Sequence, residues 1–135
     1  MAVLPSRPGD DDPAVQGHAL ARFMAKIPGK HVVIVDTPTA YYDVPVCLAA
    51  HKSNIEACAT NRDLAFSWRH LTLETTAVAD DLGSLLVNLS KNICPLAEDC
   101  QAVLNGYIVW RDFHHLTNTF AKTLKSALAT KLPTL

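Results

Sequence analysis

The chain has 135 residues, twelve Lys/Arg against thirteen Asp/Glu, a formal net charge of -1 and 49% hydrophobic residues, which is the length of one domain and the composition of a globular one. That balance excludes global disorder and supplies no overall electrostatic grip on phosphates, so a polycationic nucleic-acid binder is excluded as well. Short runs such as Val32 to Val35 and Leu85 to Leu89 fall far below the roughly 20 apolar residues that cross a bilayer, and the acidic triplet Asp10 to Asp12 stands where a secretory leader has its apolar stretch.

In chain order, Asp10 to Asp12 followed by Pro13 reads as a helix start, and Val15, Ala19, Leu20, Phe23, Met24 and Ile27 follow at helical spacing up to Pro28-Gly29. His31 to Val35 is a continuous β-branched run that suits a strand buried on both faces, as in parallel sheets. Pro38 to Thr60 has no sustained periodicity. It reads as a long loop in which Ser53-x-x-Glu56 is able to open a short helix. Leu64, Ala65, Trp68, Leu71, Leu73, Thr75, Val78, Ala79 and Leu82 form one long helical stripe, ended by Gly83, and Leu85 to Leu89 is a second buried strand. This alternation is the grammar of a parallel α/β sheet. Asn105-Gly106, flanked by Ala102-Val-Leu and Tyr107-Ile-Val-Trp, predicts a hairpin. Thr117 caps a closing helix with the face Phe120, Ala121, Leu124, Ala127 and Leu128, expected to dock on the sheet.

The four cysteines fall into two short-range pairs, Cys47 with Cys58 and Cys94 with Cys100. Intervals of ten and five residues are wrong for zinc knuckles, and local disulfides are favoured over free thiols, although the even count leaves three connectivities open. Disulfides persist outside the cytoplasm. Set against the missing export signal, they lead to the expectation that the chain is a piece of something longer.

The chemistry is expected between hairpin and last helix, in Trp110-Arg111-Asp112-Phe113-His114-His115-Leu116-Thr117. A carboxylate three residues before an imidazole can accept from one ring nitrogen while the other serves as a base. The plainer alternative is that Asp112 caps the turn and His115 packs half-buried. His114 beside His115 offers a metal no third ligand on this reading, since neighbours in sequence point in different directions, so no metal or cofactor is expected. Tyr41-Tyr42-Asp43 lies in the long loop, where open α/β sheets bind ligands, but is read mainly as loop packing. Phe66 and Trp68 are read as core or cover and Arg111 as a loop anchor. His18, His31, His51 and His70 receive no role.

The string DTPTAYYDVPVCLAAHKSNIEACAT (residues 36–60) and the string CPLAEDCQAVLNGYIVWRDFHHLTNTFAKTL (residues 94–124) together resemble the SGNH (GDSL-like) esterase and acyltransferase superfamily. The similarity is to the extracytoplasmic SGNH domain attached to bacterial membrane O-acyltransferases that modify cell-surface polysaccharides. It runs from about Val32 to 132. The resemblance implies a three-layer α/β/α, flavodoxin-like parallel sheet domain, local pairing of both cysteine pairs, and Asp112 and His115 as triad members acting on an acylated glycan or acyl donor at the periplasmic or extracellular face.

The departures matter equally. That family carries its nucleophilic serine in a Gly-Asp-Ser motif, and none of Ser6, Ser53, Ser67, Ser84, Ser90 or Ser126 stands in one; no oxyanion donor is assignable either. Residues 1–135 are therefore read as a partial SGNH-like domain, its C-terminal half with the first strands missing. Alone it is expected to be inactive, because a base and its orienter cannot run acyl transfer without nucleophile and oxyanion hole. Lost neighbours would leave a sheet edge open to self-association. The competing expectation is a degenerate or truncated fragment with a structural or interaction role only.

Overall fold

The computed structural model describes residues 12–67, 73, 75–78 and 84–133. They fall into two compact units, one formed by the chain up to Val35 with Arg69–Val87, the other by Asp36–Trp68 with Asn88–Leu135.

In the first unit, helix α1 (Pro13–Met24) starts where its sequence says it should: the Asp12 carboxylate accepts from the Ala14 N–H at 2.8 Å, and Pro13 occupies the first turn, where its missing donor is harmless. Gly17 and Ala21, one turn apart, are its buried residues. A Cβ on Gly17 would stand 2.6 Å from the Leu73 carbonyl oxygen and 2.7 Å from Thr76 Cβ, so the glycine permits a backbone approach that no larger residue allows. Strand β1 (Val32–Ile34) pairs in parallel with the segment Leu85–Val87, Val33 opposite Leu86, and the ladder is extended by Val35 N–H to the Val87 carbonyl and Leu85 N–H to that of His31.

The parallel pairing agrees with the sequence, but burial on both faces does not. Val33 and Val87 are enclosed, whereas Val32, Ile34 and Leu85 are 37%, 51% and 36% exposed. Side chains alternate across a strand, and β-branched composition favours the strand without supplying a second covering layer. Among the described residues all sheets are two-stranded, and only this one is parallel. The structure is thus a mixed helix and strand fold, compatible with an α/β domain.

The second unit is held by caps and staples. Helix α2 (Val44–Ala50) is capped by Asp43, whose carboxylate accepts from Val46 N–H at 3.1 Å, within the stretch the sequence left as loop. A 3-10 turn (Ile55–Cys58) follows, begun at Asn54 rather than by a Ser53 capping box. Strand β2 (Thr60–Asn61) leads into helix α3 (Arg62–Ala65), where the Asn61 side chain accepts from Asp63 N–H and Leu64 N–H. Here the long helical stripe fails: Phe66 sits at the C-cap, and the Ser67 hydroxyl donates to the Leu64 carbonyl at 2.8 Å, a local alternative to continued helix. Residues 73 and 75–78 are helical. Trp68, His70 and much of the remaining stripe to Gly83 lie outside the described residues.

The segment Leu85–Val87 is strand β3; helix α4 (Ser90–Ile93) then precedes strand β4 (Asp99–Cys100), which pairs antiparallel with β2. The Cys47–Cys58 and Cys94–Cys100 disulfides are both formed, with Cα separations of 5.9 and 4.7 Å. Arg62 ties the second loop down by donating to the carbonyls of Cys94 at 2.7 Å and Leu96 at 2.9 Å. Strands β5 (Val103–Leu104) and β6 (Tyr107–Ile108) form the expected hairpin, with φ of +51° at Asn105 and +82° at Gly106, the left-handed pair that a two-residue turn demands. Thr117 caps helix α5 (Asn118–Thr123), accepting from Phe120 N–H, and helix α6 (Lys125–Lys131) continues it after Leu124. Phe120 is buried, and α5 packs on β6 of the hairpin.

Candidate functional site

Residues 111–115 form a loop closed at both ends in the second unit. Trp110 and Leu116 make an antiparallel bridge, and Arg111 N–H donates to the His115 carbonyl at 2.9 Å. Beneath it lies the most bulky fully buried side chain among the described residues, Trp110, whose indole N–H donates to the Pro38 carbonyl at 2.8 Å. A buried indole with its polar edge satisfied is a rigid anchor, so the loop stands on a fixed base.

Within the loop the Asp112 carboxylate organises everything. Its Oδ1 accepts from the backbone N–H of His115 at 2.8 Å and of His114 at 3.1 Å. The same carboxylate meets His115 Nδ1 at 2.9 Å through Oδ2 and 3.1 Å through Oδ1, and Arg111 Nε approaches Oδ2 at 3.4 Å. The backbone N–H groups of His115 and then His114, together with these side-chain donors, hold the Asp112 carboxyl well below the usual carboxylate range. The carboxylate therefore caps the turn and hydrogen-bonds the imidazole at once. The His115 side chain is 54% exposed against 28% for Asp112.

A second segment clasps this loop. Ala40 N–H donates to the Phe113 carbonyl at 2.7 Å, and the Thr37 hydroxyl donates to the His114 carbonyl at 3.0 Å. Together with the Pro38–Trp110 bond they bring residues 37–40 against the loop across more than seventy positions of sequence. Sequence periodicity could not find these partners, because they act mainly through backbone groups. The next residue, Tyr41, has φ of +65°, rare for a bulky side chain and sustained only where neighbours dictate it. Its hydroxyl shares a hydrogen bond with Ser67 Oγ at 2.5 Å, and the side chain remains exposed. Tyr42, by contrast, donates to the Cys58 carbonyl, and burial pushes its phenol up, in keeping with a packing role.

One expectation about this loop is overturned. Neighbours in sequence are expected to diverge, yet the His114 and His115 rings lie with centroids 4.1 Å apart and planes tilted by 39°. The tight turn around Asp112 folds both residues to one side, bringing Asp112, His114 and His115 together as possible ligands. His51, given no role from sequence, donates from Nδ1 to the Cys47 carbonyl at 3.0 Å, beside the Cys47–Cys58 bridge. With both sulfurs bonded to each other, that cluster has no thiolate to offer a metal.

A family model of the SGNH domain fused to AT3 domains matches residues 3–130, including the N-terminal stretch that lies before the residues carrying the sequence resemblance. No curated protein and no solved structure matches the chain.

Proposed function

Given that the chain belongs to the family of SGNH domains fused to AT3 domains, we propose that it supplies the base and its orienting carboxylate to a serine-dependent acyl-ester hydrolase or O-acyltransferase domain acting on acylated cell-surface glycans. The observation that carries this is the Asp112–His115 hydrogen bond at 2.9 Å on a loop fixed from both ends. With Nδ1–H donated to a carboxylate that stays ionised, the neutral tautomer leaves the Nε2 lone pair to take a serine proton, and Asp112 then stabilises the imidazolium. His115 is open enough to meet a substrate.

Within this proposal the domain is a three-layer α/β/α sheet of which these residues are a part, the substrate is an acylated glycan or its acyl donor, and the exposed apolar face of β1 and β3 takes up a complementing segment or a second copy. Two disulfides fit an oxidising compartment, here the periplasmic or extracellular face of a bacterial membrane. No helix among the described residues is long and apolar enough to cross that membrane.

The test is hydrolysis of para-nitrophenyl acetate by the chain alone and by the chain expressed in frame behind a strand bearing Gly-Asp-Ser. The expected result is no turnover for the first and turnover abolished by His115→Ala for the second. Turnover by the joined protein that survives His115→Ala would overturn the base assignment; His115-dependent turnover by the chain alone would overturn the missing nucleophile.

A further inference from the structure

The loop that presents His115 also gathers the elements of a metal site. Asp112, His114 and His115 each offer one ligand atom, all mutually within 4.8 Å. Two imidazoles and a carboxylate are a donor set suited to zinc and its borderline neighbours. A tetrahedral ion with bonds of about 2.1 Å spaces its ligand atoms about 3.4 Å apart. Closing the set therefore needs a contraction of about 1.4 Å at most for that geometry, and the side chains that must move, His114 and His115, are exposed.

The backbone beneath them is already fixed by the Arg111–His115 bond and by Thr37 on the His114 carbonyl. Ordering the loop thus adds little to the free energy of binding, because the conformational entropy is already lost. Remaining coordination positions would be filled by water. The opposing element is Arg111, whose guanidinium stands 3.4 Å from Asp112 Oδ2 on a side chain 64% exposed. It competes with a cation for the carboxylate, yet its exposure lets it swing aside.

We propose that Asp112, His114 and His115 form a binding site for a divalent transition ion of the zinc type, and that occupation withdraws His115 from proton transfer. The binding stands on the loop geometry; the inhibitory consequence rests on the base reading above. An ion bound at Nδ1, the His115 nitrogen beside Asp112, displaces the ring proton to Nε2, and an ion bound at Nε2 takes its lone pair directly; either way no Nε2 lone pair is left for a serine proton, so the ion acts as a reversible blocker rather than as a cofactor.

The experiment is calorimetric titration of Zn²⁺ into the oxidised full chain, with backbone NMR shifts to locate the ion. One ion per chain is expected, with shifts centred on residues 111–117. His114→Ala should weaken binding roughly tenfold or more, Arg111→Ala should tighten it, and His51→Ala should leave it unchanged. No binding, shifts centred elsewhere, or wild-type affinity in His114→Ala would overturn the site. His114 takes no part in the proposed proton transfer, so its loss tests the metal site independently. In the Gly-Asp-Ser-joined protein, zinc should suppress ester turnover in the parent and fail to do so at the same concentration in His114→Ala. Turnover that persists at saturating zinc in the parent would sink the blocking role.

Discussion

The two units of this chain hold short segments in place by different physical means. In the first, order comes from close packing: a parallel ladder between β1 and β3, and a helix brought near its neighbour by Gly17. In the second, elements of two to seven residues are too short to be stable by propagation alone. Covalent closure, caps and satisfied backbone groups replace extended packing there, and the Asp112–His115 loop sits among them. A loop positioned to within a hydrogen-bond length needs that kind of support. A packed apolar face tolerates small shifts; a carboxylate that must meet two N–H groups and an imidazole does not.

The largest expected effect breaks the second unit. Replacing Cys47 and Cys58, or Cys94 and Cys100, by serine opens loops of sequence separation 11 and 6, each expected to lower stability by about 2 to 3 kcal/mol. Denaturant unfolding should show a lower midpoint with either pair removed, and an unchanged midpoint would mean that caps and packing suffice. The counterpart in the first unit is Gly17→Ala. The added Cβ meets a carbonyl oxygen at 2.6 Å, and overpacking of this kind destabilises by about 1 to 3 kcal/mol. A neutral or stabilising result, read from the same unfolding curves, would show that α1 can withdraw freely.

A smaller effect sharpens the role of capping. Thr117→Ala removes the acceptor for Phe120 N–H and the donor to the Ile108 carbonyl, and about 1 kcal/mol should be lost. Hydrogen exchange in α5 should accelerate, while Thr117→Ser should restore most of the protection.

The smallest effect is pH-dependent. Because the folded Asp112 carboxyl is held below its ordinary value, its contribution is present above the usual carboxylate range and fades as pH falls through the depressed folded value. The stability difference between the parent and Asp112→Asn should therefore be constant near neutrality and shrink in acid. A difference that grows on acidification would contradict the hydrogen-bonded carboxylate. An exposed group of this kind is screened by solvent, which keeps the effect small.

Local chemistry was legible wherever one residue satisfies its near neighbours. Asp12-Pro13 starts α1, Asn105-Gly106 turns the hairpin, Thr117 caps α5, and the carboxylate of Asp112 reaches an imidazole three positions on. Each rests on spacing within a few residues, so the string of letters already contains the interaction. The short intervals of the cysteine pairs favoured local closure, while the choice among three connectivities was implied by the family resemblance.

What the string could not contain was decided at long range. Whether β1 is covered on one face or two depends on which layers arrive, and Ile34 remains 51% exposed although its composition fits a buried strand equally well. The stripe from Leu64 onward breaks at Phe66 and Ser67 because Arg62 and Asn61 are already committed to β2, the Cys94 loop and the start of α3, commitments that periodicity does not register. The clasp of Thr37, Pro38 and Ala40 on the 110–115 loop joins backbone groups far apart in sequence. Backbone groups are the same at every position, so only the folded chain can say which of them meet.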